Sequence, residues 1–129
     1  MIAADLLGVD GKPYSEAFLI DSGADRTIVS LETLTKLGIA GYTPQDHPGF
    51  TGIGGSPAFQ FFRTTIVLTA TDKRLFKFDG EFVVFTDDGS TPIGLLGRDI
   101  LDQFDVILSR RRNEVLLLND SDCYSVSSA

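Results

Sequence analysis

The stretch from Phe61 to Phe85 constrains the fold of this chain most. Phe61 to Ala70 and Leu75 to Phe85 are dense in Phe, Val, Leu and Thr, residues that suit a pleated, half-buried surface. Between them lies only the polar turn Thr71-Asp72-Lys73-Arg74, so the segment reads as two long strands. Shorter strand candidates surround it. Ile2 to Gly8 is an apolar run followed by the hairpin signal Asp10-Gly11. Glu16 to Ile20, Thr27 to Val29 and Ile93 to Leu96 follow, and Asp105 to Ser109 with Glu114 to Leu118 flank Arg110-Arg111-Arg112-Asn113 as a last hairpin. Two short helices are expected. One has Ser30 as N-cap, Leu31, Leu34 and Leu37 on one face, and Gly38 as C-cap. The other spans one or two turns from Arg98 to Gln103. Short strands at regular spacing with so little helix indicate an all-β, barrel-like domain.

The 129 residues fit one domain, here 1–118, followed by a polar Ser- and Asp-rich tail, 119–129, expected to be frayed. With 43% apolar and 22% charged residues the chain is not of the disordered type. No apolar run approaches the roughly 20 residues that span a bilayer. No basic leader with an apolar core is visible at the N-terminus, so a cytoplasmic protein without a membrane segment is expected. The formal charge of -7, with Arg110-Arg111-Arg112 the sole basic cluster, argues against a nucleic-acid partner.

Cys123 is the single cysteine, which excludes an internal disulfide and a cysteine-based zinc site. Asp87-Asp88 precedes Gly-Ser and reads as a solvated turn rather than a metal site. No metal or cofactor is expected. The single histidine, His47, sits in the turn-like Gln45-Asp46-His47-Pro48-Gly49, yet any Ser-His-Asp or Cys-His hydrolase would have to use it. Catalysis, if present, is expected to run on carboxylates.

Phe18-Leu19-Ile20 would bury its apolar residues and deliver Asp21 at the edge of the core. Ser22 offers a bracing hydroxyl, and Gly23 permits close approach of another chain. A carboxylate so placed can activate water, and two that share a proton can divide the roles of base and acid. By itself Asp21-Ser22-Gly23-Ala24 is equally compatible with a turn whose carboxylate caps local N–H groups.

Two further segments add context. Thr51-Gly52-Ile53-Gly54-Gly55 reads as a glycine-rich hairpin tip, and no Lys-Ser/Thr follows it as a phosphate loop would require. Thr91-Pro92-Ile93-Gly94-Leu95-Leu96-Gly97-Arg98-Asp99-Ile100-Leu101 runs from a buried strand into the second helix. In this order, together with Phe18 to Asp25, the three segments resemble the retropepsin-like aspartic proteases, the family of retroviral proteases and their cellular and bacterial relatives.

The resemblance implies a closed barrel with a flap hairpin, forming half of a two-fold symmetric acid-protease dimer. It implies that Asp21 is the catalytic aspartate, paired with its copy in a second subunit around the attacking water. Ser22, Gly23 and Ala24 would complete the catalytic loop, with Ser22 where Thr is more usual. Gly52, Ile53, Gly54 and Gly55 would form the flap tip over a peptide substrate. Asp25 would reach substrate backbone amides and pair with Arg98, supported by Gly97. Ile93 and Leu95, with Ile53, would line apolar subsites. Ala24 cannot donate a hydrogen bond to the dyad, so with Ser there the acidic limb of the activity profile would move to lower pH. Few residues precede Leu6, so the homodimer would lean on the C-terminal strand Glu114 to Leu118. The competing reading is a non-catalytic binding or dimerisation module with the same fold. One Asp-Ser-Gly and no internal repeat leave half an active site per chain, which is itself an argument for a dimer.

Overall fold

A computed structural model describes residues 1–43, 59–86, 93–120 and 122. Strand β1 (Ile2–Leu7) turns at Gly11, whose φ of 76° is the left-handed conformation that glycine adopts without strain, into β2 (Pro13–Ile20). β2 begins three residues before the expected Glu16. A proline is tolerated at the first position of a strand. β3 (Ile28–Val29) leads into α1 (Leu31–Leu37), with caps as the sequence indicates. The Ser30 hydroxyl accepts from the Thr33 amide, Gly38 closes the helix at φ 70°, and Leu34 and Leu37 are buried.

β4 (Phe59–Thr69) and β5 (Leu75–Phe85) pair along their whole length, from Phe59 opposite Phe85 to Thr69 opposite Leu75. β4 starts two residues before the expected Phe61, and Tyr42 forms an isolated bridge with Phe61. β6 (Gly94–Leu96) runs into α2 (Arg98–Leu101), a single turn. The strands close a six-stranded barrel in the order β1-β2-β6-β3-β5-β4, with β1 and β4 completing the circle. The fold is thus the expected all-β closed barrel. Leu6, Phe18, Val29, Phe62, Ile66, Val84, Leu96 and Ile100 fill it. Within it, β2 with β6 and β3 with β5 are parallel pairs.

β7 (Asp105–Ser109) and β8 (Glu114–Leu118) form a separate two-stranded sheet. Directly paired residues share a face, so Val106, Leu108, Val115 and Leu117 line one side, while Ile107, Leu116 and Leu118 share the other with Asp105, Ser109 and Glu114. One face is therefore apolar and the other mixed, and Leu108 and Leu116, one on each, remain 62% and 46% exposed. After β8, Asp122 accepts from the Asn119 amide at 3.1 Å and from Arg74 at 2.9 Å, which fastens the chain to the β4–β5 turn. No helix among the described residues is long and apolar enough to cross a membrane.

Candidate active site

β2 carries Phe18 fully buried, opposite Gly94 of β6. A Cβ on Gly94 would lie 2.5 Å from the Phe18 ring and 2.9 Å from the Ile28 carbonyl, so only glycine lets β2, β6 and β3 pack this closely. The ladder continues one residue beyond β2, because the Asp21 amide donates to the Leu96 carbonyl at 3.0 Å. There the chain turns. The Ala24 amide donates to the Asp21 carbonyl at 3.2 Å, and the Gly23 amide donates to Asp21 Oδ1 at 2.9 Å. Asp21 is half-buried, while Ser22 and Gly23 are exposed beside it.

The far side of the loop is held from α2. The Arg98 amide donates to the Ala24 carbonyl at 2.8 Å. A Cβ on Gly97 would fall 2.5 Å from the Arg26 carbonyl carbon and 2.9 Å from the Ala24 oxygen, so the loop lies directly on Gly97. Thr27, fully buried, donates from its amide to Asp99 Oδ2 at 2.9 Å and from its hydroxyl to Asp99 Oδ1 at 2.7 Å. The same hydroxyl accepts from the Gly97 amide at 3.1 Å. Thr27 and Asp99 have no marked place in the motif reading, and the signal that could have drawn attention to Thr27 is a polar residue opening a β-branched strand. The Arg98 and Asp25 side chains form an ion pair, 51% and 77% exposed.

Leu96 is fully buried, and its neighbour Leu95 is half-buried on the opposite face of β6. Leu19 of β2 and Ile28 of β3 stand directly opposite Leu95, so an apolar row crosses three strands next to Asp21. Leu19 and Ile28 are further candidates beyond the sequence reading. Strand alternation brings Leu19, two residues before Asp21, to the same side as the aspartate. Ile93 is half-buried ahead of β6. The glycine-rich tip Gly52, Ile53, Gly54 and Gly55 lies outside the described residues, as do His47, Asp87, Asp88 and Cys123. Among the described residues no cluster of three or more His, Cys, Asp or Glu side chains could hold a metal ion.

A closed six-stranded barrel that presents Asp-Ser-Gly at a strand end, with an apolar-Gly-Arg segment folded against it, defines the retropepsin-like class. The sequence matches the aspartyl protease family over residues 7–100, and the chain belongs to that family. Two crystal structures share the fold. The retroviral protease-like domain of Ddi1 from Leishmania major is 15% identical with a TM-score of 0.51, covering 95% of this chain and 90% of that one. A retropepsin-like aspartic protease from Rickettsia conorii is 20% identical, also with a TM-score of 0.51, covering 83% of both chains. No curated protein matches the sequence.

Proposed function

We propose that the protein is an aspartic endopeptidase that works as a symmetric homodimer. What carries this reading is the position of Asp21, a half-buried residue fixed through its amide at the end of β2 in a loop braced by Gly97, Thr27 and Asp99. Each chain supplies one such carboxylate. In the dimer, one Asp21 takes a proton from the bound water while its copy donates one to the peptide carbonyl oxygen. The resulting tetrahedral diol collapses as a proton passes to the leaving amine, and no covalent enzyme intermediate forms. Ser22, Gly23 and Ala24 complete the loop. Asp25 is assigned to substrate amides and Ile93 and Leu95 to apolar subsites, joined by Leu19 and Ile28. Gly52, Ile53, Gly54 and Gly55 are assigned as the substrate-covering tip by sequence resemblance alone.

The β7–β8 sheet supports the dimer, since a two-stranded sheet is marginal in water and this one exposes Leu108 on an apolar face and Leu116 on the other. The test is cleavage of peptides with apolar residues flanking the scissile bond, across pH 4–7, by wild type and Asp21→Asn. Cleavage lost in the variant is expected. Equal cleavage by both, or none by wild-type dimer, overturns the proposal in favour of a binding module with the same fold.

A further inference from the structure

Four segments distant in sequence meet beside the active-site loop. Arg26, one residue beyond Asp25, places its guanidinium over the Phe61 ring of β4, 5.0 Å from the centroid, within cation–π range. Its Nη1 lies 3.5 Å from Glu81 Oε1 on β5. The other Glu81 oxygen, Oε2, accepts from the Tyr42 hydroxyl. Tyr42 packs edge-on against Phe61, with centroids 6.3 Å apart, and exchanges two backbone hydrogen bonds with it at 2.8 Å. Each Glu81 oxygen therefore holds a different part of the chain. The Arg26 and Glu81 side chains are 32% and 21% exposed, so they are less screened than an ordinary surface pair.

We infer that Glu81, with Arg26 and Tyr42, is a positioning clamp that ties the active-site loop to the Tyr42–Phe61 bridge. Its reach differs from that of the inner network. Asp21 is held at Leu96, and Thr27 is held at Asp99 and Gly97, without help from Glu81. The clamp instead fixes the outer side of the loop, where Arg26 leads to Ile28 and the apolar row. Losing it leaves the carboxylate in place and loosens a substrate wall. That removes binding shared by ground state and transition state, which raises KM and spares kcat.

The kinetic arm rests on the proteolytic reading, whereas amide exchange does not. Glu81→Gln keeps the size of the side chain but removes its charge. We expect amide exchange at Tyr42 and Phe61 to quicken about tenfold while β1 and β2 amides are unchanged. KM for an apolar-flanked peptide should rise about fivefold with kcat within about twofold. Tyr42→Phe, which deletes a single oxygen, should reproduce both effects, and adding it to Glu81→Gln should produce little more. Unchanged exchange at Tyr42 and Phe61 in both variants overturns the clamp whether or not the protein cleaves peptides. A fall in kcat with constant KM also overturns it. Failure of wild type to outperform Asp21→Asn overturns the proteolytic reading instead, and leaves the exchange result to decide the clamp.

Discussion

The carboxylate of Asp99 holds Thr27 at both its amide and its hydroxyl, across 72 residues of sequence. Thr27 is fully buried, so removing that carboxylate would strand two donors away from water. Each unsatisfied donor costs about 1–3 kcal/mol. Asp99→Ala is therefore expected to lower unfolding free energy by about 2–4 kcal/mol in urea titration. A loss near zero would mean that water or another acceptor takes over the two Thr27 donors.

The outer ion pair should behave differently. Arg98 and Asp25 are largely exposed within one chain, and such pairs contribute about 0–1 kcal/mol. Arg98→Ala keeps the backbone bond to Ala24, so its urea midpoint should move little at dimer-free concentrations. A loss of about 3–5 kcal/mol, the figure for a broken buried pair, would contradict this.

Glu16 is buried within β2, where Oε2 accepts from the Ser30 amide at 3.1 Å and from its hydroxyl at 2.6 Å. Ser30 in turn caps α1. Glu16→Ala should cost about 2–3 kcal/mol, because a charge-assisted contact is lost and the Ser30 amide is left unpaired. Circular dichroism would follow the accompanying thermal shift.

Asp122 offers a pH test. The Asn119 amide, and then the Arg74 guanidinium, hold its carboxyl below the usual 3.8. A depressed folded-state value stabilises the folded form above pH 3.8, and this contribution is lost as pH falls through the folded value. Arg74→Gln should raise the Asp122 midpoint in a carboxyl NMR titration. The stability difference between variant and wild type should shrink as pH falls below 3.8 and through the folded value. An unmoved midpoint would show that Asn119 alone sets it.

Association should depend on the apolar ribbon. Leu108→Glu or Leu116→Glu adds charge to a face of β7–β8 and should shift the protein to monomer in sedimentation, with peptide cleavage falling in parallel. Two chains of -7 would bring together about -14, so moderate salt should strengthen the dimer by screening. Variants that remain dimeric would place the interface elsewhere.

Local patterns in the sequence translate directly into structure. The Leu31-Leu34-Leu37 spacing, with Ser30 and Gly38 at its ends, defines α1 because capping and periodicity act within a few residues. The β4–β5 pair, with its polar turn, is equally legible. Asp21 and Gly97 stand out because a chemical motif marks them. The Thr27–Asp99 bonds do not, since no local signal couples residues so far apart. Glu16 looks like a solvent-facing charge, and only its alternation with Phe18 places it inside. Arg26, Glu81 and Tyr42 come from a loop, a strand and an isolated bridge far apart in sequence, and a single sequence does not display that meeting.

The parallel pairing of β2 with β6 sets the order in which the site is built. Parallel strands far apart in sequence close a long loop before they gain contacts, so such pairings form slowly. Asp21 is translated 75 residues before Leu96, the partner of its amide, and the Thr27 amide likewise waits for Asp99. A nascent chain still on the ribosome would therefore carry the aspartate without the scaffold that orients it, and the loop would take its folded geometry only after most of the domain had emerged.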